Sequence, residues 1–427
     1  MALNAKKTRI KSFVLKNEQK LLWVLVALTF LLRFSYTCYA YSTHGTENWK
    51  DDWEYLSYGQ EIAEGNWHPV HPKREGEFMT VGPAMPILIA ASIRLFGDTH
   101  WPIFLYNITI TSLVVWILFY LGKYVFDRRI GWLLALWGTL FAQFTIYNPY
   151  LLKEPTNFFF LPLTVFLLVK SIRKSGAILP LVMSALSYIW LIHADERYLV
   201  YAPLFALSFL LIRPFNFKLA MGRVSIWGIA VLVLMVPWTI RNYKVFNQIV
   251  LISPRTTVFT AKICGDDISN LHVINHDTDA VEASRSYYKR KHFKRYNEYN
   301  VSPREFGKYE KYIRAFINFW QPTYFRPTFI QYGFRFRKWS LGHNLCGLLG
   351  YGLFLPFYFI GIFIMKKRKN ALGLFIAAIP IIHSLVHTLM VWSLERYRSP
   401  VVFCVICVGL WMICEIHKGR KFLSAPR

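Results

Sequence analysis

Asp51 and Asp52 stand side by side, and Glu54, Glu61 and Glu64 follow within the same short stretch. Paired carboxylates can act as a general base on a hydroxyl, or hold a divalent cation. Three other short stretches mix acids with bases: Lys153-Glu154, Asp195-Glu196-Arg197 and Glu395-Arg396-Tyr397-Arg398. Arginine beside such acids can hold a phosphate bidentately, and lysine can hold it as a point charge. A carboxylate that takes a proton from an acceptor hydroxyl, next to cations that neutralise a departing phosphate, suits transfer from a lipid phosphate.

The elements that must position these groups are apolar. The chain has 427 residues, of which 54% are hydrophobic, 18% aromatic and 17% charged. Soluble domains carry about 25% charged residues. Repeated apolar runs near spanning length define an all-α polytopic membrane protein, because backbone groups in lipid must be satisfied within each segment. The net charge of +26 lies largely in connectors. Positive-inside bias and anionic headgroups account for it there, and with no nucleic-acid signature beside it, no nucleic-acid partner is expected.

The runs predict about ten spans. They cover 21–41, 101–126, 130–147, 156–169, 177–192, 198–212, 224–240, 341–365, 371–392 and 399–414. The basic segment before the first span places both termini in the cytoplasm. No small-residue cleavage site follows that span, so it is expected to stay attached. The loop from 42 to 99 is then extracytoplasmic, with two juxtamembrane helices, one over 51–64 and one over 81–96. In the first, Trp53, Leu56 and Ile62 are expected to face lipid and the acids to face water. Residues 1–240 form an N-terminal transmembrane module with this loop as its catalytic part. Residues 241–340 form an extracytoplasmic soluble segment, and 341–427 the last helices and a cytoplasmic tail. With basic loops placed inside, the mixed-charge loops gather on the outer face.

Further polar residues carry less chemistry. Cys404 and Cys407 have the spacing of a zinc pair but no second pair beside them, and read as packing residues. His383 and His387 share a helix face without the glutamate of a zinc protease, and no metal is assigned to them.

Four segments in order resemble the GT-C superfamily of membrane glycosyltransferases. They are Asp51-Asp52…Tyr55 with Gly82-Pro83-Ala84-Met85-Pro86, Leu152-Lys153-Glu154-Pro155, Pro237-Trp238-Thr239-Ile240-Arg241-Asn242-Tyr243, and Glu395-Arg396-Tyr397-Arg398-Ser399-Pro400. Within that superfamily the likeness is to bacterial relatives of protein O-mannosyltransferases and of the lipid A aminoarabinose transferase. Met79, Thr80, Val81 and Gly82 occupy the stretch where the aminoarabinose transferase carries a lysine. The resemblance implies a polyprenyl-phosphate sugar donor and a glycan, lipid or protein acceptor, in a bacterial plasma membrane. It implies inverting transfer at the extracytoplasmic face. Asp51 is the best match for the catalytic base, and Asp52 holds the neighbouring acidic position; Tyr55 is expected to pack. Lys153, Glu154, Arg197, Arg241, Arg396 and Arg398 are the candidates for binding substrate and lipid phosphate. No cofactor is assigned, though the acids could take a divalent cation.

Two other readings belong to different classes. A transporter of a lipid-linked substrate would show repeats or matched broken helices, and none is evident in the sequence. An inactive assembly subunit would have no need of the Asp pair and the late arginines, which are present.

Overall fold

The computed structural model describes residues 16–44, 52–69, 79, 81–173, 177–246, 249–253, 310–322, 340–389 and 395–418. Asp51 lies outside them. Among the described residues every regular element is a helix, as expected of a chain whose backbone must satisfy itself in lipid.

In chain order, α1 is Glu18–His44, α2 Asp52–Ala63, α3 Ala84–Phe96, α4 Trp101–Val125 and α5 Arg128–Leu140. A short α6, Gln143–Ile146, precedes α7, Glu154–Arg173, and α8, Ile178–Ala194. Then come a 3-10 turn at Glu196–Tyr201, α9 at Ala202–Leu207, a second 3-10 turn at Ser208–Leu211, and α10, Phe217–Phe246. The C-terminal part holds α11, Glu310–Trp320, α12, Ser340–Gly350, a 3-10 turn at Gly352–Phe354, and α13, Leu355–Lys367. It ends with α14, Ala371–Leu389, α15, Glu395–Arg398, a 3-10 turn at Ser399–Val401, and α16, Val402–His417.

Seven stretches among the described residues are helical, long and apolar enough to cross a bilayer: Glu18–Thr43, Trp101–Val125, Glu154–Arg173, Phe217–Val245, Asn344–Lys367, Ala371–Leu389 and Arg396–His417. Three other expected spans take shorter or broken forms. The third is split between α5 and α6. The fifth, α8, is too short for that measure. The sixth is a chain of 3-10 turns around α9, where Pro203 sits in the first turn of a helix and so starts a new one. Arg33 of α1 is buried, and its Nη2 donates to the carbonyl of Gly138 at 2.8 Å. A cation near the end of α5 suits the negative pole of that helix.

One end of the bundle is tied by charge. Glu18 meets Lys123 at 2.6 Å and also Arg128. Glu415 takes Arg368 at 2.5 Å and Lys418 at 2.8 Å, and Lys418 reaches Asp127 at 3.7 Å. Asp127 caps α5, accepting from the backbone of Arg129 and Ile130 at 2.8 and 3.0 Å. The second set of charges gathers at the other end, where α7 begins and α8 ends.

The first-loop helices α2 and α3 pack together. Arg94 near the end of α3 donates from Nε to the carbonyl of Ala63, the last residue of α2, at 2.8 Å. Tyr55 and Tyr58 of α2 are buried in the main apolar cluster, and Ile62 is buried too. Asp52 is also buried, at 4% exposed. The expected arrangement, with Ile62 on lipid and the acids on water, therefore fails at Ile62 and Asp52, while Glu64 is exposed as expected. Ile62 faces the protein, Asp52 is enclosed with it, and Tyr55 packs as anticipated.

Candidate functional site: a charge cluster at the end of α7 and α8

Asp195 is the centre of the site. Its backbone is extended as α8 ends, and its side chain caps the following 3-10 turn by accepting from the backbone of Arg197. The carboxylate is 0% exposed. Its Oδ1 accepts from Arg197 Nε at 2.7 Å. Its Oδ2 accepts from Arg197 Nη2, from Lys153 Nζ at 3.2 Å and from Asn157 Nδ2 at 3.2 Å. Two segments distant in sequence, one carrying Lys153 and Asn157 and one carrying Asp195 and Arg197, thus meet at one anion. Burial pushes the Asp195 carboxyl up, but the charges of Arg197 and Lys153 and their hydrogen bonds outweigh it and hold it well below the usual carboxylate range.

A second acid lies beside it. Glu154 opens α7, where the helix dipole favours a negative charge. Its Oε1 faces Arg396 Nε at 3.0 Å. Tyr397 joins the two pairs, with the Arg197 guanidinium 4.3 Å from its ring centroid and that of Arg396 at 5.2 Å. His387 stacks on Tyr397 at 5.2 Å, and His383 Nε2 donates to the Tyr397 carbonyl at 2.7 Å. The two histidines are thus packing and orienting groups under the cluster.

Lys153, Glu154, Arg197 and Arg396 are therefore brought together. Arg241 and Arg398 have other partners. Arg241 donates to the carbonyl of Trp67 in the first loop at 2.9 and 2.6 Å, and to Asn242 Oδ1 at 2.9 Å, over the Trp238 ring. The neighbouring Trp238 and Asn242 donate to the carbonyls of Ile252 and Val250. The Pro-Trp…Arg-Asn segment thus staples the first loop and the 249–253 strip to α10. Arg398 donates to the carbonyls of Phe319 and Gln321. Sequence reasoning did not single out Asp195 as the hub, nor Asn157 as its partner. The available signal was an acid directly at the end of an apolar run.

The first loop closely approaches this end of the bundle. A Cβ on Gly82 would stand 2.2 Å from the carbonyl oxygen of His193, which belongs to the last turn of α8. Thr156 Oγ1 also donates to Met85 Sδ of α3 at 3.6 Å. Gly82 thus lets the α2–α3 loop lie against the turn that carries Asp195. Gly82→Ala is expected to lower stability by about 1–3 kcal/mol through overpacking, read as a drop in the thermal unfolding midpoint in detergent. An unchanged midpoint would mean the loop does not seat there.

Asp195 and Glu154 each face a cation already. No group of three His, Cys, Asp or Glu able to hold a metal occurs among the described residues. This donor set suits an anion better than a divalent cation.

The architecture is that of a known class of membrane protein. The chain shares its fold with the archaeal oligosaccharyltransferase AglB from Archaeoglobus fulgidus, a glycosyltransferase of the GT-C fold, solved in complex with an inhibitory peptide and a dolichol-phosphate. That match has a TM-score of 0.59 at 13% identity, over 96% of this chain and 53% of that one. A second structure of the Archaeoglobus fulgidus oligosaccharyltransferase, tethered with an acceptor peptide containing the NVT sequon via a disulfide bond, gives 0.56 at 12% identity, over 96% and 51%. The chain spans about half the length of either structure. No family model and no curated protein matches the sequence.

Proposed function

We propose that this chain is a membrane glycosyltransferase that moves a sugar from a polyprenyl-phosphate donor to an acceptor hydroxyl at the extracytoplasmic face. The observation that carries this reading is the convergence of Lys153, Arg197 and Arg396 with Asp195 and Glu154 at one end of a fold shared with an oligosaccharyltransferase. Preorganised cations in a water-poor site stabilise charge that develops during reaction far better than solvated ones do.

In the proposed step the first-loop Asp, Asp51 or its neighbour Asp52, takes the proton of the acceptor hydroxyl. The hydroxyl oxygen attacks the anomeric carbon, and the bond from that carbon to the phosphate oxygen breaks. The electron pair leaves with the polyprenyl phosphate, whose charge Lys153, Arg197 and Arg396 offset. Attack from the opposite face inverts the anomeric centre, so no covalent intermediate forms. The buried counter-acids keep the three cations in place until the anion arrives.

The test is transfer of radiolabelled sugar by the reconstituted protein from a panel of polyprenyl-phosphate sugars, with Asp51→Asn/Asp52→Asn as the control. One donor consumed by the wild type and none by the double variant supports the reading. No donor consumed, with the double variant complementing a deletion as well as the wild type does, rejects it.

A further inference from the structure

Helix α11 lies in a stretch of the sequence expected to be soluble, yet it packs on the membrane-spanning helix α14. Ala315 and Phe319 are its buried face, and the Phe319 ring meets those of His383 and His387 at 5.9 and 6.3 Å. Those histidines lie about 18–24 Å along α14 from its first residue, at 1.5 Å per residue. Within a hydrocarbon core of about 30 Å, that places the end of α11 some way below the surface of the leaflet opposite the basic α13–α14 turn.

A second apolar stripe on α11 points away from the protein. Ile313, Phe316 and Ile317 are 59%, 45% and 49% exposed, at the spacing of one helix face. This stripe runs on into Trp320, whose ring stacks on Tyr358 and meets Phe359 at 5.3 Å. Phe359, Ile360 and Phe363 are exposed on a stretch long and apolar enough to span, so the stripe continues a lipid-facing surface. Its charged positions, Glu310, Lys311 and Arg314, fall in the first half of the helix.

A helix ending at membrane depth must find donors for its last carbonyls. Arg398 supplies them, with Nη1 2.9 Å from the Phe319 carbonyl and 2.6 Å from that of Gln321. The guanidinium lies 4.1 Å from the Tyr351 ring centroid, and the side chain is fully enclosed. The chain then turns against Gly352, where a Cβ would stand 2.3 Å from the Pro322 carbonyl oxygen.

We propose that α11 is an interfacial membrane-docking helix. It embeds Ile313, Phe316 and Ile317 in the acyl region of the leaflet at the charge-cluster end, and Arg398 pins its terminus. The partner is the bilayer itself, and apolar burial supplies the attraction.

The test is lipid-probe quenching at single cysteines. Cys38, Cys264, Cys346 and Cys414 are replaced by serine, while Cys404 and Cys407, which are fully buried, are kept. Ile313→Cys, Phe316→Cys and Ile317→Cys are each labelled with bimane and reconstituted in phosphatidylcholine vesicles carrying doxyl chains. Phe363→Cys serves as the lipid-facing reference and Glu64→Cys as the water-facing one. Loss of fluorescence at 316 and 317 matching that at 363 supports docking. Quenching no greater than at 64, with ready labelling by a membrane-impermeant maleimide, overturns it in favour of a solvated face. Protection from both probes with chain-to-chain crosslinking overturns it in favour of a second copy. If bulk at 316 disturbs folding, 313 and 317 carry the same comparison.

Discussion

Asp195→Ala is expected to remove about 3–5 kcal/mol of stability, because it strips the counter-charge from two buried cations at once. Arg197 and Lys153 both bind this carboxylate and both are largely enclosed. Neither can recover the loss by turning to water. Asn157 would also lose its partner. The charge is a separable part of the effect. The folded Asp195 carboxyl is held below the usual range, so its contribution is present at all pH values above the unfolded value of about 3.9. It is lost as pH falls through the depressed folded value. Asp195→Asn keeps the shape and removes the charge. Wild type and this variant should therefore differ most at neutral pH and converge only in strong acid. Thermal unfolding of both proteins in detergent across pH 3 to 8 is the measurement. Equal midpoints at pH 7 would show that the cluster is held by packing alone.

The fold class was legible because lipid leaves the backbone few options, and composition and apolar runs follow directly from that. Tyr198 to Ile212 was read as a span from hydropathy alone. Hydropathy does not register that Asp195 caps a 3-10 turn and that Pro203 restarts the helix. The mixed-charge loops marked Lys153, Glu154, Arg197 and Arg396 as one group. Which acid sits at the centre was not legible. Asp195 becomes the hub only when Lys153, over forty residues earlier, folds back onto it. Arg241 and Arg398 looked like phosphate ligands by residue type, and in the structure both serve backbone carbonyls. A side chain and a backbone carbonyl brought together by tertiary packing leave no mark in a sequence pattern. Helix α11 did leave a mark, the spacing of Ile313, Phe316, Ile317 and Trp320. It was hidden by the polar residues around it.

Asp51→Asn is expected to lower the turnover number for sugar transfer by about a hundred- to ten-thousand-fold, the usual contribution of a positioned general base. The donor KM should change far less, because the proposed cations hold the phosphate in both proteins. Asp52→Asn should behave differently. Asp52 is buried in the first turn of α2, next to the positive pole of the helix dipole. Loss of that charge should cost about 0.3–2 kcal/mol of stability and leave a larger share of turnover intact. Steady-state kinetics on both single variants, beside their unfolding midpoints, separate the two roles. A collapse of turnover in Asp52→Asn with Asp51→Asn near wild type would reverse the assignment. Full turnover in both would remove the first loop from the chemistry and leave the buried charges at the end of α7 and α8 as the place to look for the base.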